Sequence, residues 1–555
     1  IIRMEAYQID LIWSELIRRK SKDIILYLHQ EIRRYEEDKG EIENITEKLI
    51  FISLLLSSTN RYLRDMATKA LVIIGEKQPE KLFEVFDRLE TIKDFYVLER
   101  LIASICGVFL RIDNKELLLK VCRYFEDNYF ATLKTSHVLI LDYIDTLLNY
   151  AMVHYGYRRS KSLSEVDLIE WKKDNECAKE VTGDGRATWG FGPVDYDFAK
   201  YKIGAYLSSR RFEKDSKLPT LKESLAMVVW RAKELGYSKE LFEQIDIQIN
   251  KERYDRYGQG VLQNYGKKYS KIAFYELFGY NIIKGFSRSF KDKAVFRVSV
   301  TDIDPTFPKK PHKRQLITCC FLPKKNDDVQ TWINIDKNPY LEEDYIRTDI
   351  ENAGKEWVML YGHLTQESNE KARIDVSVYT ILVPQDVADK FVEKIKRNEL
   401  SMLHFVSENH YIMAGEIPWS SNLDSDPIYE GINGEKIEIH LPVSVYYREA
   451  KSDLEITNHI YFPSKKVAQE LGLRINLNNF NFYTTSNETA SIFLHDDYSN
   501  FLFMRRDLIQ DYMKRNKQLL IWIELGTRWG SFGNYESKYD PPFKNFRFCK
   551  LYQEV

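Results

Sequence analysis

The residues whose types best suit catalysis are carboxylates close to a lysine. A metal-dependent nuclease needs acidic ligands on one face and a Lys near the attacking water. Asp302 and Asp304 are two apart in TDIDP, and Glu536-Ser537-Lys538 supplies a Glu-x-Lys. The Glu-x-Lys lies in the polar, turn-rich GNYESKYD, and nothing in the sequence sets it beside the aspartates. Asp304-Pro305 reads more simply as a turn, because Asp caps its own backbone and Pro fixes the next φ. The ten histidines include no His-Glu-x-x-His. His404 and His410, six apart, lack a zinc spacing. No Gly-x-Ser-x-Gly occurs, and Cys319-Cys320 within LITCCFL reads as a pair of small buried apolar residues. No catalytic residue and no metal ligand follow from these patterns, and no cofactor is expected within this chain.

Gly183, Gly185, Gly190 and Gly192 crowd the segment GDGRATWGFGPVDYDF, yet no Lys-Ser/Thr follows and no apolar strand precedes, as a phosphate loop requires. Recognition has more support than catalysis. Trp189, Phe191, Trp332, Trp357, Tyr361 and Trp419 stand beside Gly, Asn, Glu or Ser. Aromatic residues in polar surroundings are the usual anchors of protein–protein contacts, and core filling is the competing reading. Lys309, Lys310, Lys313 and Arg314 cluster in PKKPHKR, where prolines hold the loop extended. They form a handle for an acidic partner, with a solvated loop as the alternative.

The elements that must position these residues divide in two. Up to about residue 160, apolar residues recur at i, i+3, i+4 and i+7 with one Pro, Pro79, so helix follows helix. Asp65, Glu99 and Asp142 each sit inside an apolar helical face, 34 and 43 residues apart. That spacing predicts a HEAT-like helical-repeat solenoid over 1–160, with an irregular bundle as the alternative. A loop-rich insertion and further helices occupy 161–285, with one helical run from Leu221 to about Asn250. A second run follows Gly266, where Ile272, Ala273, Tyr275, Leu277 and Phe278 cover one face. From 286 to 555 the texture is that of short strands: VFRVSV, QLITCCFL, TWINI, EWVMLYGHL, RIDVSVYTILV, EKIEIHLPVSVYY, HIYFP, ASIFLH, NFLFM and LLIWIEL. Helical patterns interrupt them at Pro384–Leu403, Ser464–Leu471 and Asp507–Lys514. The fold class is therefore multidomain α+β, a helical solenoid followed by a mixed α+β domain.

Composition sets the outer bounds. The chain has 555 residues, is 44% hydrophobic and 30% charged, and carries a formal charge of −2. This argues against disorder and against a domain built to neutralise nucleic acid. The most apolar run, LIFISLLL from Leu49, is too short to span a bilayer. Six cysteines in so long a chain make no disulfide framework, so a cytoplasmic protein is expected. Because the first residue is Ile1 and the first Met is Met4, the chain is expected to be a fragment.

Several segments together resemble the C-terminal sensor regions of antiviral STAND NTPases, the bacterial AVAST defence proteins, and of related NACHT-type ATPases. The segments are STNRYLRDMATKAL, DFYVLERLIASICGV from Asp94, SHVLILDYI from Ser136, DFAKYKIG from Asp197, RAKELGYSKELFEQID from Arg231, YGKKYSKIAFYEL from Tyr265, TDIDPTFP from Thr301 and MRRDLIQDYMKRNKQLLIWIELG from Met504. They follow the family's order. The resemblance implies a module that binds a phage protein, either the large terminase subunit or the portal. Binding would drive ATP-dependent homo-oligomerisation and switch on an upstream effector. No Gly-x-x-x-x-Gly-Lys-Ser/Thr is present, so ATP and Mg²⁺ are implied only for an NTPase part outside this chain, and no catalytic residue carries over. Lys271 and Tyr275 stand where the family has an aromatic and a His.

Overall fold

In a computed structural model, the described residues are 1–40, 43–129, 135–160, 168–172, 174–179, 198–209, 217–254, 262–286, 303–307, 321–324, 326–340, 342–351, 354–368, 372–397, 407–410, 413–420, 428–430, 436–438, 443–448, 457–496, 498–530 and 543–552. They belong to two compact units, one built on Ile1–Phe307, the other on Pro308–Tyr447 and Thr457–Val555.

The first unit is helical because its apolar spacing is sustained and its helix starts carry caps. Asn60, Asp94 and Asn114 each accept a hydrogen bond from a first-turn backbone N–H, opening the helices Arg61–Lys77, Phe95–Phe109 and Lys115–Tyr124. Pro79 occupies the first turn of Pro79–Leu89, where its missing N–H costs nothing. Helices Ser21–Glu36, Arg61–Lys77, Phe95–Phe109 and Val138–Tyr155 pack each on the next, while Ile45–Leu55 packs on Pro79–Leu89. The row continues from Val138–Tyr155 onto Tyr265–Ile283 and from there onto Leu221–Glu234. The expected single run from Leu221 to Asn250 is two helices, Leu221–Glu234 and Lys239–Tyr254. Between them Gly236 takes φ +107°, a conformation a side chain resists.

Tyr265–Ile283 is the central helix of this unit. Its apolar residues were expected on one face, yet Lys268, Ser270, Lys271, Glu276 and Asn281 are buried as well. Burial all round is possible because the charged side chains find partners inside. The helix also comes unusually close to its neighbour: a Cβ at Gly279 would lie 1.8 Å from the Ser136 carbonyl oxygen.

The second unit is built on strands β1 (Ile346–Arg347), β2 (Trp357–Ser368), β3 (Ala372–Pro384), β4 (Ser407–His410), β5 (Ile428–Glu430), β6 (Lys436–Glu438), β7 (Val443–Arg448), β8 (Thr457–Phe462), β9 (Arg474–Asn476), β10 (Asn481–Tyr483), β11 (Thr489–His495), β12 (Ser499–Arg505), β13 (Gln518–Gly530) and β14 (Phe543–Leu551). Nine of them form an antiparallel sheet in the order β14-β13-β3-β2-β12-β11-β10-β9, with β1 beside β2. β3 alternates buried Ile374, Val376 and Val378 with half-buried neighbours, as a strand with one face in a core must. It pairs with β13 over its whole length, from Gln518 opposite Pro384 to Gly530 opposite Ala372. Helix Ala388–Lys396 lays Phe391 and Ile395 on Ile381, Ile521 and Ile523. The larger core, with Trp357, Tyr512 and Trp522, contains the buried residues of helix Arg506–Asn516.

TWINI is not a strand. Val329–Ile333 is a helix because the Asp328 carboxylate accepts from the Thr331 N–H, 2.9 Å. The expected strands VFRVSV and most of QLITCCFL lie outside the described residues. The resulting architecture is mixed helix and sheet, with a helical N-terminal region and an antiparallel C-terminal sheet.

Candidate functional site

The central helix carries the most concentrated chemistry in the first unit. Lys268 Nζ donates to Asp10 Oδ1 at 2.7 Å, to Asp94 Oδ2 at 2.6 Å and to the Ser57 carbonyl at 3.1 Å. All three charged side chains are sealed from solvent. Tyr269 Oη and Ser14 Oγ donate to the two oxygens of Asp10, and the Lys268 ammonium lies 5.2 Å from the Tyr96 ring centroid. Burial works against the Lys268 charge, but Asp10 and Asp94 together outweigh it and its pKa rises. Two buried carboxylates share one cation, so burial pushes Asp10 up to about 6 against the pull of Lys268. A lysine locked in its ammonium form, without access to water, is no nucleophile or base. What the triad can do is pin three distant chain segments to one point.

Further buried pairs extend it. At the start of the same helix, Tyr265 Oη donates to Glu15, 3.0 Å, which Arg18 holds through two nitrogens at 2.8 and 2.9 Å. Asp246 accepts from the backbone N–H groups of Tyr265 and Gly266 at 2.6 and 3.0 Å. Further along, Glu276 receives Arg231 at 2.7 and 3.0 Å and Thr135 at 3.1 Å. Arg100, fully buried, reaches Asp65 at 2.8 Å and Glu99 at 3.2 Å. Tyr143 Oη donates to the Ile303 carbonyl, and Gly107 lies so near Pro305 that a Cβ would stand 2.2 Å from its oxygen. Within this unit the family-like segments 58–71, 94–108, 231–246 and 265–277 are thus joined by buried polar contacts, and 136–144 is joined to Ile303.

The exposed face of this unit is where a partner has access. Phe51 meets Trp13 at 6.3 Å and Tyr27 at 6.0 Å in edge contacts, bringing three segments to one aromatic cluster. Trp13 Nε1 is fixed on the Leu54 carbonyl at 2.9 Å. On the same segments Ile12 is 62%, Leu16 52% and Leu26 59% exposed. Apolar side chains grouped on a surface mark an interaction site more strongly than scattered ones.

The second unit buries a different acid. Glu524 Oε2 accepts from Tyr345 Oη at 2.9 Å, and Asn338 donates to the same phenol oxygen at 3.0 Å. Burial pushes Glu524 up to about 8, against the hydrogen bond from Tyr345 and the charge of Arg528. Arg528 donates to the Ile335 and Lys337 carbonyls and lies 4.4 Å over the Phe546 ring.

Three of the expected partner anchors are core residues. Trp357 is fully buried; Trp332 is buried with Nε1 on the Phe321 carbonyl; Tyr361 stacks on Tyr461 at 3.7 Å with their hydroxyls 3.1 Å apart. Burial here is set by β2 and by the helix Val329–Ile333 and not by the flanking residue types: Leu360 and Gly362, beside Tyr361, are themselves buried. Trp419 is half-buried and held by the Gly415 carbonyl. Trp189, Phe191, Lys309, Lys310, Lys313 and Arg314 lie outside the described residues, as do Asp302, His404, Cys319, Cys320 and Glu536–Lys538. Asp304 makes the expected turn, accepting from the Thr306 N–H at 2.9 Å. The Trp13, Tyr27 and Phe51 cluster escaped sequence reading, although Trp13 between Ile12 and Leu16 was a visible signal.

Among the described residues no three His, Cys, Asp or Glu side chains are grouped to hold a metal ion, and no helix is long and apolar enough to cross a membrane. No protein-family model matches the sequence, and no curated protein does.

Proposed function

We propose that this chain is the ligand-sensing module of a bacterial antiviral STAND NTPase, with a HEAT-like helical unit that docks a phage protein, the large terminase subunit or the portal. The observation that carries this reading is the aromatic group Trp13, Tyr27 and Phe51 on segments that also expose Ile12, Leu16 and Leu26. Trp and Tyr are enriched among the residues that carry the binding energy of protein interfaces. The stacked order of helices from Ser21–Glu36 to Val138–Tyr155 supports the repeat reading, and stacked helical pairs present extended surfaces to large partners. A near-neutral net charge leaves shape and apolar area to drive the contact. The buried ion network then supplies stiffness, so that a docking event displaces the unit as a body. The resemblance implies that docking drives ATP-dependent oligomerisation through an NTPase region outside this chain.

The experiment is size-exclusion chromatography with light scattering of the purified chain mixed with purified terminase or portal. A stoichiometric complex with either is the expected result. Failure of both to co-elute at roughly 10 µM, a concentration at which a micromolar complex is mostly formed, would remove the reading.

A further inference from the structure

The strands β13 and β14, at one edge of the nine-stranded sheet, carry a strap that they anchor from beneath. Residues 335–340 and the short helix Glu342–Tyr345 run between two buried aromatic posts, Trp332 and Tyr345. Residues 334–337 are exposed, so the first half of the strap already faces solvent. Arg528 of β13 donates to the Ile335 and Lys337 carbonyls at 2.6 and 3.0 Å, and Lys544 of β14 donates to the Asn334 carbonyl at 3.2 Å. The far end is held through an acid of β13. Glu524 Oε2 accepts from the Tyr345 hydroxyl at 2.9 Å, and Asn338 donates to that same hydroxyl oxygen at 3.0 Å. Glu524 and Arg528 are four residues apart and so lie on one face of the strand, since side chains alternate with a period of two.

The acid end of the strap is incompletely paired. Glu524 Oε1, Arg528 Nε and the Tyr340 hydroxyl are buried and have no hydrogen-bond partner among the described residues. The charges around Glu524 pull in both directions. Asp344, buried and 3.7 Å from Arg347, opposes its ionisation, while Arg528 and the Tyr345 hydrogen bond favour it. Asp336, on the exposed part of the strap, acts on Arg528, and Lys550 of β14 stands 5.6 Å from the Tyr345 ring centroid. Tyr340 and Tyr345 keep their protons, because burial and the neighbouring Glu524 push both phenols up. Burial outweighs the pull of Arg528 and Tyr345, so the Glu524 carboxyl rises to about 8. Ionised beneath a closed strap, it would leave one oxygen with neither donor nor water, which is costly. Lifting a partly exposed strap admits water with far less disruption than unfolding the sheet, because local openings occur where backbone is exposed and loosely packed.

We propose that Glu524 is a proton-operated latch for this strap: as the uncharged acid it keeps Tyr345 on β13, and on giving its proton to solvent it lets Tyr345 lift so that water reaches the carboxylate. The test is hydrogen–deuterium exchange of the full chain, read by mass spectrometry on peptides covering 336–345 at pH 6, 7 and 8 and corrected for intrinsic exchange. One proton lost on opening changes the opening equilibrium about tenfold per pH unit, so protection in these peptides should fall by about that factor per unit. The fall should lack the urea dependence of β3 peptides, because a local opening exposes little new surface. Glu524→Gln keeps the shape and cannot ionise, so its strap protection should not change with pH. Tyr345→Phe removes the hydroxyl that the acid holds and should lower strap protection at pH 6 by about fivefold, the effect of one hydrogen bond. It supplies the readout should Glu524→Gln fail to fold. Strap protection independent of pH in the wild type would overturn the proposal. So would an equal pH response in Glu524→Gln, full protection in Tyr345→Phe, or strap exchange with the urea slope of β3, which marks global unfolding.

Discussion

Lys268 and Asp94, 174 residues apart in the chain, meet at 2.6 Å in an interior from which water is excluded. Their pairing, completed by Asp10, closes the N-terminal segment, the Phe95–Phe109 helix start and the central helix around one charge. A buried ion group of this kind contributes little net stability against a well-packed apolar replacement, but breaking it by removing one member is costly.

Lys268→Met follows directly. It leaves Asp10 and Asp94 facing each other without a cation, and a loss of about 3–5 kcal/mol is expected. Urea unfolding followed by far-UV circular dichroism measures it. The triple change Asp10→Asn, Asp94→Asn, Lys268→Met should recover much of that loss, because no uncompensated charge remains buried. A single Lys268→Met variant as stable as the wild type would show that the triad is not what holds these segments.

The close approach of the central helix to Ser136 gives a second prediction. Gly279→Ala would place its methyl carbon 1.8 Å from a backbone oxygen, and backbone cannot rotate aside as a side chain can. Overpacking of this kind costs about 1–3 kcal/mol. The thermal midpoint should fall accordingly, although alanine has the higher helix propensity. An unchanged or raised midpoint would mean that the two segments part without cost.

Much of this arrangement was legible in the sequence, and the illegible remainder has identifiable physical causes. β3 was readable because Ile374, Val376 and Val378 alternate with half-buried residues, a period that belongs to strands alone. TWINI has the same β-branched texture, but Asp328 just before it caps a helix, and a local hydrogen bond overrode propensity. β14 was missed because FKNFRFCKL mixes charge into both faces, as an edge strand does. Lys268 was visible as part of a family-like segment, yet its partners lie 174 and 258 residues away, beyond any periodicity argument. The aromatic anchors at Trp332, Trp357 and Tyr361 failed because burial is set by the helix Val329–Ile333 and by β2, which the types of the flanking residues do not report.

Glu524 predicts a pH dependence. Its folded pKa is raised from 4.5 to about 8 by burial, so the folded state favours the protonated form. The stability it confers is fully present below about 4.5 and is lost as pH rises through about 8. The loss over that window is on the order of a few kcal/mol. Unfolding of the C-terminal unit, followed by tryptophan fluorescence from Trp522, 4.8 Å from Tyr345, should shift to lower urea between pH 5 and 9. Glu524→Gln should flatten that profile. A wild-type profile already flat across this window would show that the carboxyl ionises without penalty.

The surface cluster gives the prediction that bears most directly on function. Ile12 and Leu16 are more than half exposed, so Ile12→Asp/Leu16→Asp removes apolar area and adds charge without opening a core. Surface substitutions of this sort change stability by about 0.5 kcal/mol or less. The thermal midpoint should therefore stay within a degree or two of the wild type. Burying an unpaired carboxylate in an interface is costly, so affinity for the proposed partner, terminase or portal, should fall at least tenfold. Phe51→Ala, which removes the ring joining Trp13 and Tyr27, should act in the same direction with a modest stability cost. Unchanged affinity in both variants would move the docking face elsewhere on the chain and leave the cluster as ordinary surface.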